Sequence, residues 1–330
     1  MSITITGGIS FGGGVGITAA PPSVATAGWW GAGQATSNVQ RVTFATDTAT
    51  ATLRGPLMAS GYNYGLAAAG TLTDGWYGGG NGPASLPSGT GSTVNRITYA
   101  TDTATASVKG PLSLARAYIG ATSDGTTYGW FGGGGNSSGT TLSVVDRITY
   151  ATDTATATAR GPLSGNKNRV TGTGTSTDGW FGGGDSGQYP SSTSSLSTVD
   201  RITYSTDTAT ASVRGPLNNS TGFRAASTDG TTYGWFAGGG PSLFSSVSRI
   251  TYANDTATAS LRGPLSSAIY GVSAAGDSTY GWFGGGRDPA VPGVVTTVQR
   301  ITYATDTATA SIRGPLNTPT TLSGAASGAQ

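Results

Sequence analysis

Acid–base or nucleophilic chemistry in this chain would have to run on aspartate, because the other usual groups are missing. All fifteen acidic residues are Asp; there is no Glu, no His and no Cys, and Lys occurs only at Lys109 and Lys167. Without His, the commonest general base and metal ligand is gone, and no Ser can be activated through a Ser-His pair. Without Cys there is neither a thiolate nucleophile nor a disulfide framework. A calcium loop needs alternating oxygen ligands closed by a Glu, which this chain cannot supply. The glycine runs lack the following helix and the Lys-Ser/Thr of a phosphate cradle. Paired carboxylates for glycoside cleavage could come only from Asp. The expectation is a non-enzymatic protein with no cofactor and no metal.

The aspartates are themselves periodic. Asp47, Asp102, Asp153, Asp207, Asp255 and Asp306 stand at one position of a sixteen-residue phrase written six times, its third copy running from Arg147 to Pro162 and followed by Leu163. The copies open at Arg41, Arg96, Arg147, Arg201, Arg249 and Arg300, about 50 residues apart, a period typical of propeller blades. A second refrain precedes each copy: Gly-Trp, an aromatic residue, then glycines, with the tryptophans at Trp29, Trp76, Trp130, Trp180, Trp235 and Trp282. A group present six times by symmetry reads as structural, so these aspartates, and Asp74, Asp124, Asp178, Asp229 and Asp277 of a second turn, read as caps on backbone N–H groups. The repeated Arg reads as a blade-packing residue, set against a neighbouring blade's carbonyls or aromatic face.

The elements that must position these groups are strands. Removing Glu and nearly all Lys removes the commonest surface helix formers, while Thr, Val, Ile, Tyr and Trp favour sheets. In the period from residue 113 to 163, Tyr118 to Thr122 reads as a first strand, with a hairpin turn through Asp124-Gly125. Thr127 to Gly132 reads as the second strand, Val145 to Ala151 as the third and Ala155 to Arg160 as the fourth, stopped by Gly161-Pro162. Four antiparallel strands written six times predict an all-β, six-bladed β-propeller of four-stranded blades. Residues 324–327 align with a first strand that has no blade after it, while Val24 to Trp30 is a second strand with no first. The C-terminal strand is therefore expected to close the ring.

The order of apolar strand, Asp-Gly turn, aromatic with Gly-Gly, variable loop, aromatic strand and Pro-Leu resembles the kelch repeat. It departs in having Ala, as at Ala155, where kelch blades carry a fourth-strand Trp; the packing aromatics stand instead on strand two, as Trp130 and Phe131. The phrases Arg-Ile-Thr-Tyr-Ala-Thr-Asp-Thr-Ala-Thr-Ala and Arg-Gly-Pro-Leu also resemble kelch-type virion proteins of marine bacteriophages, especially cyanophages, over roughly residues 24 to 327. The opening Ile-Thr-Ile-Thr-Gly-Gly-Ile-Ser-Phe is similar to the openings of such proteins. The resemblance implies a virion structural protein (a surface, fibre or tail component present in multiple copies) that docks on other virion proteins. Copper oxidases on kelch-like propellers need Cys and His ligands and are excluded.

Two regions follow: residues 1–22, a short β-rich extension, and residues 23–330, the propeller. Ile3, Ile5, Ile9, Phe11, Val15 and Ile17 alternate with glycine runs and read as an anchor onto a partner. No signal peptide with a basic start and no membrane span is read, and nothing points to nucleic acid. Binding is expected where the blades differ, on the rim carrying the loops between strands two and three and the links into strand one. The candidates there are Tyr62, Tyr64, Arg116, Lys167, Arg169, Tyr189, Phe223, Arg224, Phe244, Tyr270 and Arg287, meeting a host receptor or surface glycan; a lectin-like receptor-binding protein is the alternative. The same parse sends the 17 basic residues toward this variable face and eleven aspartates to the opposite rim, an axial separation of charge.

Overall fold

In a computed structural model, the structure describes residues 24–34, 36–58, 63–82, 89–187, 194–240, 245–291 and 293–327. It is a six-bladed β-propeller, each blade an antiparallel sheet of four strands. Blade three is representative: Gly120–Ser123, Tyr128–Gly132, Val145–Thr149 and Thr158–Arg160 follow in order from inside to outside. The first strands of all six blades surround a central channel, walled by residues such as Ala67, Gly120, Thr171, Ala225, Ser273 and Gly324. The ring closes as the alignment of its ends predicts. Gly324–Ala326 is the innermost strand of blade one and pairs with Ala27–Gly33, setting Trp29 against Ala326 and Gly31 against Gly324.

Strand boundaries differ from the sequence reading, and the first strand opens at Gly120 rather than Tyr118. Strand three ends two residues early, at Thr149, and Tyr150–Thr152 forms a single 3-10 turn that recurs in every blade. The fourth strand is accordingly only three residues long.

The refrain of Gly, Trp, aromatic and Gly is explained by packing between blades. Successive strand residues point to opposite faces, so the tryptophan of strand two meets the next blade and the residue after it meets the preceding one. Trp130 lies flat on Tyr204 of blade four, with ring centroids 3.8 Å apart and planes at 5°. Equivalent stacks join every other pair of neighbours, ending with Trp282 on Phe44 of blade one. On the other face Phe131, fully buried, presses on Gly78 of blade two, where a Cβ would lie 2.9 Å from its ring. The glycine is there because the neighbouring ring occupies the space of its side chain.

The repeated aspartates sit between blades. Asp207 of blade four accepts from Trp130 Nε1 at 2.9 Å and from Arg147 Nη1 at 3.0 Å, and Arg160 Nε approaches to 3.5 Å, all from blade three. Its backbone carbonyl takes the N–H of Gly161 at 2.8 Å. A Cβ on Gly161 would lie 2.0 Å from the Ala209 carbonyl oxygen, so the Gly of Arg-Gly-Pro-Leu is a contact as well as a stop. The same buried carboxylate hub recurs at Asp47, Asp102, Asp153, Asp255 and Asp306. These six are therefore inter-blade anions rather than turn caps. Asp124 and Asp229 do cap their hairpins, each accepting three backbone N–H groups. The expected axial charge separation is corrected for the same reason: twelve of the cations face these six carboxylates across the blade interfaces, at 2.9–3.6 Å.

Candidate functional site at the channel mouth

The link into each first strand crosses the variable face and makes one abrupt reversal before entering the channel wall. The reversal residues are Gly65, Tyr118, Arg169, Phe223, Gly271 and Leu322, all with φ between +55° and +70°. Two of these are glycines, for which this conformation carries no steric penalty. The other four are not, and residues with a Cβ hold such backbone only when their surroundings enforce it.

The enforcement is a closed circle of backbone hydrogen bonds. Tyr118 N donates to Gly65 O, Arg169 N to Tyr118 O at 2.8 Å, and Phe223 N to Arg169 O at 3.2 Å. Gly271 N then donates to Phe223 O at 3.0 Å, Leu322 N to Gly271 O at 2.8 Å, and Gly65 N back to Leu322 O at 2.7 Å. Each blade supplies one donor and one acceptor. The circle therefore surrounds the channel axis and links all six blades at the variable face.

Inside it lies a small cavity of about 60 Å3, lined by Tyr118, Arg169, Phe223, Arg224 and Leu322 among others, which continues inward to the channel cavity of about 90 Å3. Aromatic rings bridge the opening. Tyr64 meets Tyr118 edge-on at 6.3 Å, Tyr118 meets Phe223 at 5.8 Å, and Phe223 meets Tyr270 at 6.0 Å. The Arg169 guanidinium lies 4.4 Å over the Phe223 ring while Nη1 holds Asp185 at 2.9 Å. Arg224 is buried below this layer. Its Nη2 donates to the Asn219 carbonyl at 3.0 Å, whereas Nε and Nη1 have no hydrogen-bond partner. Burial brings its pKa down to about 10, so at neutral pH it remains a cation without a carboxylate.

The sequence-named residues thus separate into groups. Tyr64, Arg169, Phe223, Arg224 and Tyr270 gather at the mouth. Arg116 is fully buried within its blade, its Nη1 at 2.7 Å from Asp146 and its other nitrogens on the Gly133 and Phe131 carbonyls. Lys167 is likewise buried, 3.0 Å from Asp200, and desolvation lowers its pKa against the opposing pull of that carboxylate. Arg287 joins blade six to blade one by donating to Gln34 Oε1 at 2.8 Å. Tyr62, Tyr189, Phe244 and all six anchor residues lie outside the described residues.

Tyr118 and Leu322 were missed as mouth residues. The signal was available: aligning the copies on the first strand puts them in the column of Gly65 and Gly271, where the glycines mark a left-handed position. Among the described residues no cluster of acidic side chains could hold a metal ion, and no helix is long and apolar enough to cross a membrane. No family model matches the chain, and no curated protein matches it either.

Proposed function

We propose that this chain is a non-enzymatic structural protein of a bacteriophage virion, kelch-like in its repeat, attached through residues 1–22 and engaging a host receptor or another partner through the mouth of the variable face. The observation that carries the binding half of this reading is the circle of reversals, four of them at residues other than glycine. Strained backbone tends to cluster where a protein binds or switches, and here it presents Tyr118, Arg169, Phe223 and Leu322 around one axis. The virion half rests on the wording of the repeat and of the first residues. Mass spectrometry of purified particles tests it, and absence of the protein from particles sinks it.

A lectin-like role is the second reading, favoured by the line of rings from Tyr64 to Tyr270 beside a guanidinium. Sugar rings stack on aromatic faces and their hydroxyls take Arg donors. A glycan array decides between the two, because a purely architectural protein retains no sugar.

A further inference from the structure

The six blades repeat one register, so a position filled in five of them and empty in the sixth can be compared directly. The position is the first residue of strand two, opposite a threonine of strand three. It is Tyr128, Tyr233 and Tyr280 in blades three, five and six. There the Arg147, Arg249 and Arg300 guanidinium groups lie 4.1–4.3 Å over the phenol rings, whose edges meet the strand-two Trp at 5.6–5.8 Å. In blades two and four it is Asp74 and Asp178, each with Oδ1 3.7 Å from the Nε of Arg96 or Arg201.

Blade one has Ala27 at this position, opposite Thr43. Beside this position lies a cavity of about 530 Å3 between blades one and two, walled by Ala27, Trp29, Arg41, Leu72 and Tyr99. Arg41 differs from its five counterparts accordingly. Its Nη1 stands 3.5 Å from the carboxylate of the next blade, against 2.9–3.1 Å elsewhere. Its side chain is 31% exposed, as the two arginines beside Asp74 and Asp178 are at 28–29%, against 17–19% for the three under a tyrosine ring.

We propose that this cavity binds a small aromatic molecule of the phenol type, its ring taking over Arg41 and Trp29 the place that the Tyr128 ring takes over Arg147 and Trp130. The guanidinium offers a cation–π partner that no side chain of blade one supplies. Trp29 gives the ring a second wall, and the volume falls in the range of small-molecule sites. The cavity opens at the rim of the strand one-to-two turns, away from the mouth, so it stands or falls independently of the role given to the mouth.

The test is titration of the full chain with p-cresol, the tyrosine side chain as a free molecule, followed by saturation-transfer NMR, with cyclohexanol as the non-aromatic control. Saturable binding of p-cresol is expected with Kd of about 1 mM, the affinity within reach of so small a ligand. Ala27→Tyr, which copies blades three, five and six, should abolish it while leaving the melting temperature at or above that of the parent. Arg41→Gln should weaken it by about threefold or more. Equal binding of cyclohexanol overturns the proposal, as does binding that survives in a folded Ala27→Tyr variant. Absence of saturable p-cresol binding in the parent also overturns it.

Discussion

Trp282 and Asp47 stand 235 positions apart in the chain, and the indole Nε1 of the first donates to the carboxylate of the second at 2.8 Å. Arg300 Nη1 reaches the same carboxylate at 2.9 Å and Arg313 Nε at 3.5 Å. Through this hub the last blade holds the first, in addition to the strand that closes the sheet. Asp47→Ala leaves a buried indole N–H without its acceptor and two cations without their carboxylate, and should cost about 3–5 kcal/mol. Asp47→Asn keeps an acceptor and should cost less. Thermal melts of the two variants check the order, and an Asn variant as damaged as the Ala variant would mean that charge, rather than the hydrogen bond, holds the seam.

Trp130 carries the same relationship within the ring. It is fully buried and stacked on Tyr204, so Trp130→Ala should cost about 3–5 kcal/mol through the cavity it opens. Trp130→Phe keeps a ring on Tyr204 but withdraws the donor from Asp207, and should cost about 1–3 kcal/mol. Denaturant unfolding measures both. A cost below about 1 kcal/mol for the Ala variant would contradict the burial of the indole.

The blades were legible in the sequence because a period near 50 residues, turn chemistry and strand-favouring residues all agreed, and the closure followed from aligning the two ends. The partners of the repeated aspartates were not legible. A turn Asp satisfies its own neighbours in most proteins, and nothing in one copy of the phrase says that Asp207 reaches back to Trp130 and Arg147 of the copy before. The mouth was legible in part. Arg169, Phe223 and Arg224 stood out as charged or aromatic residues in a varying link, but so did Arg116 and Lys167, which the fold buries against Asp146 and Asp200. Residue type alone cannot separate a cation facing a ligand from one neutralised inside its blade.

Closure predicts that deleting residues 318–330 is costly. The deletion removes Gly324–Ala326 from the Trp29–Gly31 edge, the Thr320 Oγ1 bond to the Ala32 carbonyl, and Leu322 from the circle at the mouth. The inner edge of the Ala27–Gly33 strand is then left unpaired and invites association. The truncated chain should melt earlier or aggregate; equal melting temperatures would remove the closing strand from the account.

High pH should unfold the propeller steeply. Tyr77, Tyr150, Tyr252 and Tyr303 are buried and Tyr99 and Tyr204 half-buried, and desolvation raises each pKa above the ordinary value of 10.0. In the unfolded chain they ionise near pH 10, so above that pH the unfolded state binds fewer protons and stability falls as pH rises. Each tyrosine contributes a slope of about 1.4 kcal/mol per pH unit. Arg224 and Lys167, whose pKa values are lowered, work in the opposite direction, but they are two groups against six. The melting temperature should therefore drop from pH 10 upward, together with the appearance of tyrosinate absorbance. Tyrosinate that forms near pH 10 while the protein stays folded would refute the burial of these rings.

At the mouth, stability and recognition should part company at Phe223. Its φ of +58° suits glycine, so Phe223→Gly relieves backbone strain of about 1–3 kcal/mol. Against that gain stand the contacts of a half-buried ring with Tyr118, Tyr270 and Arg169. The two effects oppose each other, and the net change in stability should stay within about 1 kcal/mol. The backbone bond from residue 223 to the Arg169 carbonyl needs no side chain, so the circle should survive. Recognition should not, because the substitution removes the ring that joins the Tyr64–Tyr118 pair to Tyr270 and seats the Arg169 guanidinium. On the function proposed above, attachment of particles to host cells, or glycan retention in the lectin-like case, should fall while the melting temperature holds. A variant that melts several degrees lower would mean that the ring is there for packing, and one that keeps full attachment would take recognition away from the mouth.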